Sequence, residues 1–167
     1  RTLAAARATY PGHGPVARDL GMLYFAQESW PDAIRHLDGA LKLPPFASAK
    51  TVLGVQTMTT GDALVSNQRR SEVVELANHL GDAYTKVNRH SKAAQAWQVA
   101  VDETLNPKAQ DVLAVARAWG KAGNVNAMGQ SAQQAASIEP SNAEAHFLLA
   151  KAFDGAGNLE WAIRHSR

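Results

Sequence analysis

A spaced set of residues recurs along this chain of 167 residues, and its stride constrains the fold more than any other feature. Leu20-Gly21-x-x-Tyr24, followed by Ala33, Leu37, Ala40 and Pro45, is matched by Leu80-Gly81-x-x-Tyr84, followed by Ala93, Trp97 and Ala100. Val115-Ala116-x-x-Trp119 with Gly123, Ala135 and Pro140 gives a third copy, and Leu149-Ala150-x-x-Phe153 with Gly157 and Ala162 a fourth. The aromatic slots Tyr84, Trp119 and Phe153 lie 35 and 34 residues apart. Such a stride marks a unit that cannot bury its apolar face alone and must stack on its neighbours.

Each slot has a physical reason. The Leu-Gly pair lets a first helix approach its neighbour closely, although glycine costs about 1 kcal/mol in a helix. Alanines 33, 93, 100 and 162 keep the hairpin tight where its two helices meet. Gly123 and Gly157, each followed by Asn, suit the left-handed turn that ends a helix. Pro45 and Pro140 close second helices. Together these slots resemble the tetratricopeptide repeat, W-x2-L-G-x2-Y…A-x3-F…P at about 34 residues. The resemblance implies an all-α fold, a right-handed superhelical solenoid of antiparallel helix pairs.

The expected organisation is one solenoid over residues 1–167. Residues 1–12 end a preceding repeat, 14–47 form a repeat, and 48–73 form an irregular or shortened one. Repeats follow at 74–108 and 109–142, and 143–167 is truncated. The period fails only between Tyr24 and Tyr84, which are 60 residues apart. There Ser48 to Met58 reads as a helix with Val52, Leu53 and Val55 on its apolar face. Gly61-Asp62 reads as a turn and N-cap for a short helix through Ala63, Leu64 and Val65. Asn67 to Ser71 reads as a polar loop, and Ser71 with Glu72 and Glu75 as a helix start. The stretch is either a hinge or docking loop, or a decayed repeat that keeps the stack connected.

Leu3, Ala6 and Pro11 fall where the second helix of an earlier repeat places its residues, with no matching first helix before them. Trp161 to Arg167 stops within a second helix without a polar cap. Since solenoids need caps at both ends, these ends are expected of an internal piece of a longer array.

Composition narrows the function classes. Apolar residues make up 46% of the chain, enough for an elongated core. No run of 18 apolar residues occurs, so direct membrane insertion is not expected. With no cysteine there are no disulfides or thiol chemistry, which fits a bacterial cytoplasm and a periplasm equally. A formal net charge of +2 lacks the concentrated basic stripe of a nucleic-acid reader, and the aromatics are accounted for as repeat core.

No catalytic, metal or cofactor site is expected. The six histidines at 13, 36, 79, 90, 146 and 165 form no spaced ligand set. His146 fills the slot that holds Trp in the repeat pattern, and His36 and His165 echo each other. Neither a phosphate-binding G-x-x-x-x-G-K-[ST] loop nor a G-x-S-x-G elbow occurs.

In proteins with this repeat the first helices line a concave groove, and the resemblance places particular side chains on that face. In the first full copy these are Arg18, Met22 and Phe25, and in the second Asn78, Asp82 and Lys86. Leu113, Arg117 and Lys121 follow in the third, and Phe147, Lys151 and Asp154 in the fourth. Each trio falls on one stripe of a helix. Lys86, Arg117, Lys121 and Lys151 would then favour an acidic or carboxylate-bearing partner segment. Asn78 would bond the partner's backbone, and Phe25 and Phe147 would anchor apolar groups.

One subclass clamps the carboxy terminus of chaperones with a Lys/Asn/Lys/Arg set. The corresponding positions read Arg18, Met22, His79, Gln110 and Ala114, or in the next frame Asn78, Asp82, Ala114, Glu144 and Leu148. Neither frame keeps the clamp.

The expected function is therefore a non-catalytic protein–protein interaction scaffold. Its alternatives are a self-assembling structural module, with Trp30 and Trp161 outside the clear core slots, or a regulatory arm of an enzyme or envelope export complex.

Overall fold

The computed structural model describes residues 5, 12–46 and 60–155, with side-chain surroundings in the last segment from residue 66 onward. The described residues hold seven long helices and no strand. They are α1 (Gly14–Ala26), α2 (Trp30–Leu41), α3 (Thr60–Lys86), α4 (His90–Glu103), α5 (Ala109–Lys121), α6 (Val125–Ile138) and α7 (Ala143–Gly155). They divide into two compact units, Arg1–Val87 and Asn88–Arg167.

Local chemistry sets the helix starts. His13 caps α1, its Nδ1 accepting from the Val16 N–H at 3.3 Å, and Pro15 in the first turn has no N–H to leave unbonded. Pro31 and Asp32 do similar work at the start of α2. In α5 the Asp111 Oδ2 accepts from the Lys108 N–H at 3.2 Å. Asn124 and Asn142 cap α6 and α7 by accepting from the N–H groups of Ala127 and Ala145, each at 3.0 Å.

Three of the turns that end helices share one backbone device. Glu28, Asn88 and Gly123 all sit in the left-handed region, at φ 57°, 58° and 76°. Each lies four residues after the aromatic slot, at Tyr24, Tyr84 and Trp119. In two of the turns the next N–H reaches back to the aromatic residue's carbonyl, Ser29 to Tyr24 at 2.9 Å and Asn124 to Trp119 at 3.0 Å. That is the six-to-one bond of a Schellman ending, and it reverses the chain so that the second helix folds back on the first.

In the first unit α1 packs on α2, α2 on α3, and α1 lightly on α3. Ala17, Leu20, Ala33, Leu37, Ala40, Phe46, Leu76, Ala77 and Leu80 form its buried centre. Gly21 shows why the Leu-Gly slot is small: a Cβ there would lie 2.6 Å from Leu37 Cδ2 and 3.0 Å from the Leu37 backbone nitrogen. In the second unit α4 packs on α5, α5 on α6, α6 on α7, and α5 lightly on α7. Its core runs from Ala94 and Val101 through Val112, Leu113, Val115 and Ala116 to Met128, Ala132, Leu148 and Leu149. Trp97, Trp119 and Phe153 pack on that core while keeping part of their surface in water.

The irregular stretch differs from expectation. Residues 67–71 are not a loop, and Ser71 does not start a helix: α3 runs unbroken from Thr60 to Lys86, taking in the turn expected at Gly61-Asp62. No proline interrupts it, and no glycine between Gly61 and Gly81. Its polar run is a solvated helix face, where Gln68 Nε2 donates to Glu72 Oε1 one turn on at 3.3 Å. Arg69 Nε donates to the Pro45 carbonyl at 2.7 Å and ties this part of α3 to the end of the first hairpin. The helix expected at Ser48 to Met58, and the positions Leu3, Ala6, Pro11, Gly157, Trp161, Ala162 and His165, lie outside the described residues.

Candidate functional site

The expected groove residues form two separate sets, one in each unit. In the first unit, Arg18, Met22 and Phe25 lie on α1, and Asn78, Asp82 and Lys86 are exposed on α3. Arg18 is already committed. Its Nε donates to Asp19 Oδ1 at 2.9 Å, its Nη1 to Glu72 Oε2 at 3.2 Å, and its guanidinium lies 5.8 Å from the Phe46 ring centre. It thus links α1 to α3, which explains its position without a partner. Met22 is half-buried.

Phe25 belongs to an aromatic cluster. Its ring meets Trp30 edge to face at 5.3 Å and His79 at 4.8 Å, contacts of the favourable T-shaped kind. Trp30 also carries Lys86 Nζ over its ring at 5.8 Å, so this tryptophan is occupied within its own unit. His79 Nδ1 lies 2.8 Å from the Glu75 carbonyl, which fixes a donor proton on that nitrogen and leaves Nε2 as the acceptor when the ring is neutral. Protein around the Asp82 carboxyl removes water from it and raises its pKa above the ordinary aspartate value, against the opposing pull of His79 and Lys86.

In the second unit, one expected groove residue is core. Leu113 is 2% exposed and packs with Val112, Val115 and Leu148, so it offers nothing to a partner. The stripe rule placed it on the groove face because it shares a helix side with Arg117, but that edge is covered where the hairpins stack. Arg117 and Lys121 are exposed on α5, and Phe147, Lys151 and Asp154 on α7. Phe147 is 64% exposed.

Arg117 forms a two-pronged bridge to Glu144 across α5 and α7, Nε to Oε1 at 2.6 Å and Nη2 to Oε2 at 3.0 Å. These hydrogen bonds hold the Glu144 carboxyl below the ordinary glutamate value and raise Arg117. Glu144 was absent from the expected face. Its signal was nevertheless present: 27 residues after Arg117 is roughly one repeat less two helical turns, the spacing of neighbours on successive first helices. Among the described residues, Lys121 and Lys151 make no ion pair.

The other polar features are structural. His36 stacks on Tyr24 at 5.4 Å, and His146 Nε2 lies 2.8 Å from the Pro140 carbonyl. Among the described residues, no three metal-ligating side chains cluster, and no helix is long and apolar enough to cross a membrane.

No family model and no curated protein matches the sequence. Solved structures do match in fold. A MamA crystal structure aligns with a TM-score of 0.57 at 17% identity, covering 99% of this chain and 81% of that one. A MamA fragment from Desulfovibrio magneticus RS-1 aligns at 0.54 and 13% identity, covering 98% and 77%. The C-terminal TPR-containing domain of a Plasmodium falciparum FK506-binding protein aligns at 0.56 and 14% identity, covering 88% and 90%. Strides, hairpin turns and these likenesses agree: the chain has the all-α fold of tetratricopeptide-repeat proteins.

Proposed function

We propose that the chain is a non-catalytic scaffold that holds a segment of another protein against the exposed faces of its first helices. The observation that carries this reading is Phe147. It stands 64% exposed on α7, four residues before the exposed Lys151, while Leu148 and Leu149 of the same helix are buried. We read this exposed ring, set among charges, as the anchor that a partner's apolar group covers. The lysines Lys121 and Lys151 supply the sign: they favour a partner segment carrying carboxylates, chiefly by speeding encounter and setting register. In the first unit Asn78, Asp82 and Lys86 present a mixed polar face beside the Phe25 cluster, which suits backbone hydrogen bonding better than a purely acidic ligand.

Self-assembly has less support, because Trp30 is engaged by Phe25 and Lys86. A paired capture from cell extract tests the scaffold reading. The parent chain is compared with a variant carrying Arg117→Glu, Lys121→Glu and Lys151→Glu, both shown to be helical by circular dichroism. A protein held by the parent and lost by the variant is the expected result. Equal capture by both, or capture of the chain itself alone, would overturn the placement of the site.

A further inference from the structure

The Arg117–Glu144 fork has the form of a bound ligand. Both oxygens of the Glu144 carboxylate meet both arms of the guanidinium, as a partner's carboxylate would when bound by an arginine. Around it on the same unit stand Lys121 on α5, and Phe147 and Lys151 on α7, three and seven residues beyond Glu144. The helical repeat puts Glu144, Phe147 and Lys151 on one side of α7. Asp154 follows Lys151 and closes that end of the stripe with a negative charge.

We propose that Glu144 is a built-in competitor for the carboxylate this face receives. Resting on the scaffold reading, the proposal names the partner's chemistry: a segment with a carboxylate close to a large apolar side chain. That carboxylate takes Arg117 from Glu144, the apolar group covers Phe147, and further acidic groups meet Lys121 and Lys151.

Two features make the exchange cheap. The side chains of Arg117 and Glu144 are 44% and 43% exposed, so water reaches the pair and screens it, and both groups can be solvated when the fork opens. Glu144 also lies in the first turn of α7, where the helix dipole favours a negative charge, so it keeps a favourable setting after Arg117 leaves. The consequence is selectivity. A neutral segment gains nothing by displacing Glu144, whereas an acidic one replaces one fork with another and adds its apolar contact. Glu144 therefore screens Arg117 from casual anions and raises the threshold for a partner.

The test uses two labelled peptides, one with leucine flanked by glutamates and one with glutamines in their place. They are titrated by fluorescence anisotropy into the parent, Glu144→Gln, Glu144→Ala, Arg117→Gln and the double variant Arg117→Gln/Glu144→Gln. Thermal melts confirm that each is folded. Both Glu144 variants are expected to bind the acidic peptide about three- to fivefold tighter than the parent, the range set by exchanging one surface ion pair. Arg117→Gln binds it more weakly, and adding Glu144→Gln to that background restores no Arg117-dependent gain. The neutral peptide does not distinguish parent from Glu144→Gln.

If the parent binds the acidic peptide but the Glu144 variants bind it no tighter, the competitor role is overturned and the scaffold reading stands. An equal gain for both peptides overturns the role too, since charge exchange is then not the cause. Binding of neither peptide to any variant overturns both the role and the acidic reading of this face.

Discussion

The most instructive single residues are those that reverse the chain. Glu28, Asn88 and Gly123 occupy one slot in three helix-ending turns, yet only Gly123 is free of a Cβ in the left-handed region. A side chain there costs roughly 1–2 kcal/mol, with asparagine relieving part of it. Glu28→Gly is therefore expected to stabilise the chain by about 1 kcal/mol, read as a higher urea midpoint at unchanged slope. Gly123→Ala is expected to cost about the same, and because nothing lies within 4 Å of the added methyl the loss would come from the backbone alone. A Glu28→Gly variant no more stable than the parent would show that the turn stores no strain.

Residue identity also decided which parts of the site were legible. The Leu-Gly-x-x-aromatic slots announced the buried centre because their sizes are dictated by packing. Leu113 misled, because a stripe on one helix does not reveal how much of its edge the next helix covers. Arg117 was visible as a groove cation, but its commitment to Glu144 depends on the register of two helices, which only the stride encodes.

Among the elements, α3 departs furthest from its sequence reading. Ser71, Glu72 and Glu75 make a competent start, and Asn67 to Arg70 carry no apolar residue, so the segment reads as loop plus cap. Helix won because a preceding helical turn already satisfies the N–H groups that Ser71 would otherwise cap. The polar residues cost little on a solvated face. The amides of Gln68 to Ser71 are accordingly expected to be protected from hydrogen exchange. Gln68→Pro should lose helical ellipticity and up to about 3 kcal/mol of stability. Exchange at free-peptide rates, with a proline tolerated at 68, would restore the loop.

At the scale of the whole molecule, four copies of one residue pattern, the last three at strides of 35 and 34 residues, explain what the sequence conveyed most clearly. A stack built from nearest-neighbour contacts uses its small and aromatic slots to hold itself together. The scaffold proposal assigns to a partner what remains exposed on the first helices: Phe147, Lys121 and Lys151 in one unit, and Asn78, Asp82 and Lys86 in the other. Partner chemistry was less legible than fold, since periodicity fixes which slots are buried but leaves exposed ones unconstrained. The most direct measurement is site-specific photo-crosslinking in cell extract. A benzophenone amino acid would replace Phe147, then Asp82, and then Gln134, which is exposed on the second helix α6. Expected are discrete adducts to another protein from positions 147 and 82 and none from position 134. Adducts from 134 alone, or from no position, would contradict binding by the first-helix faces.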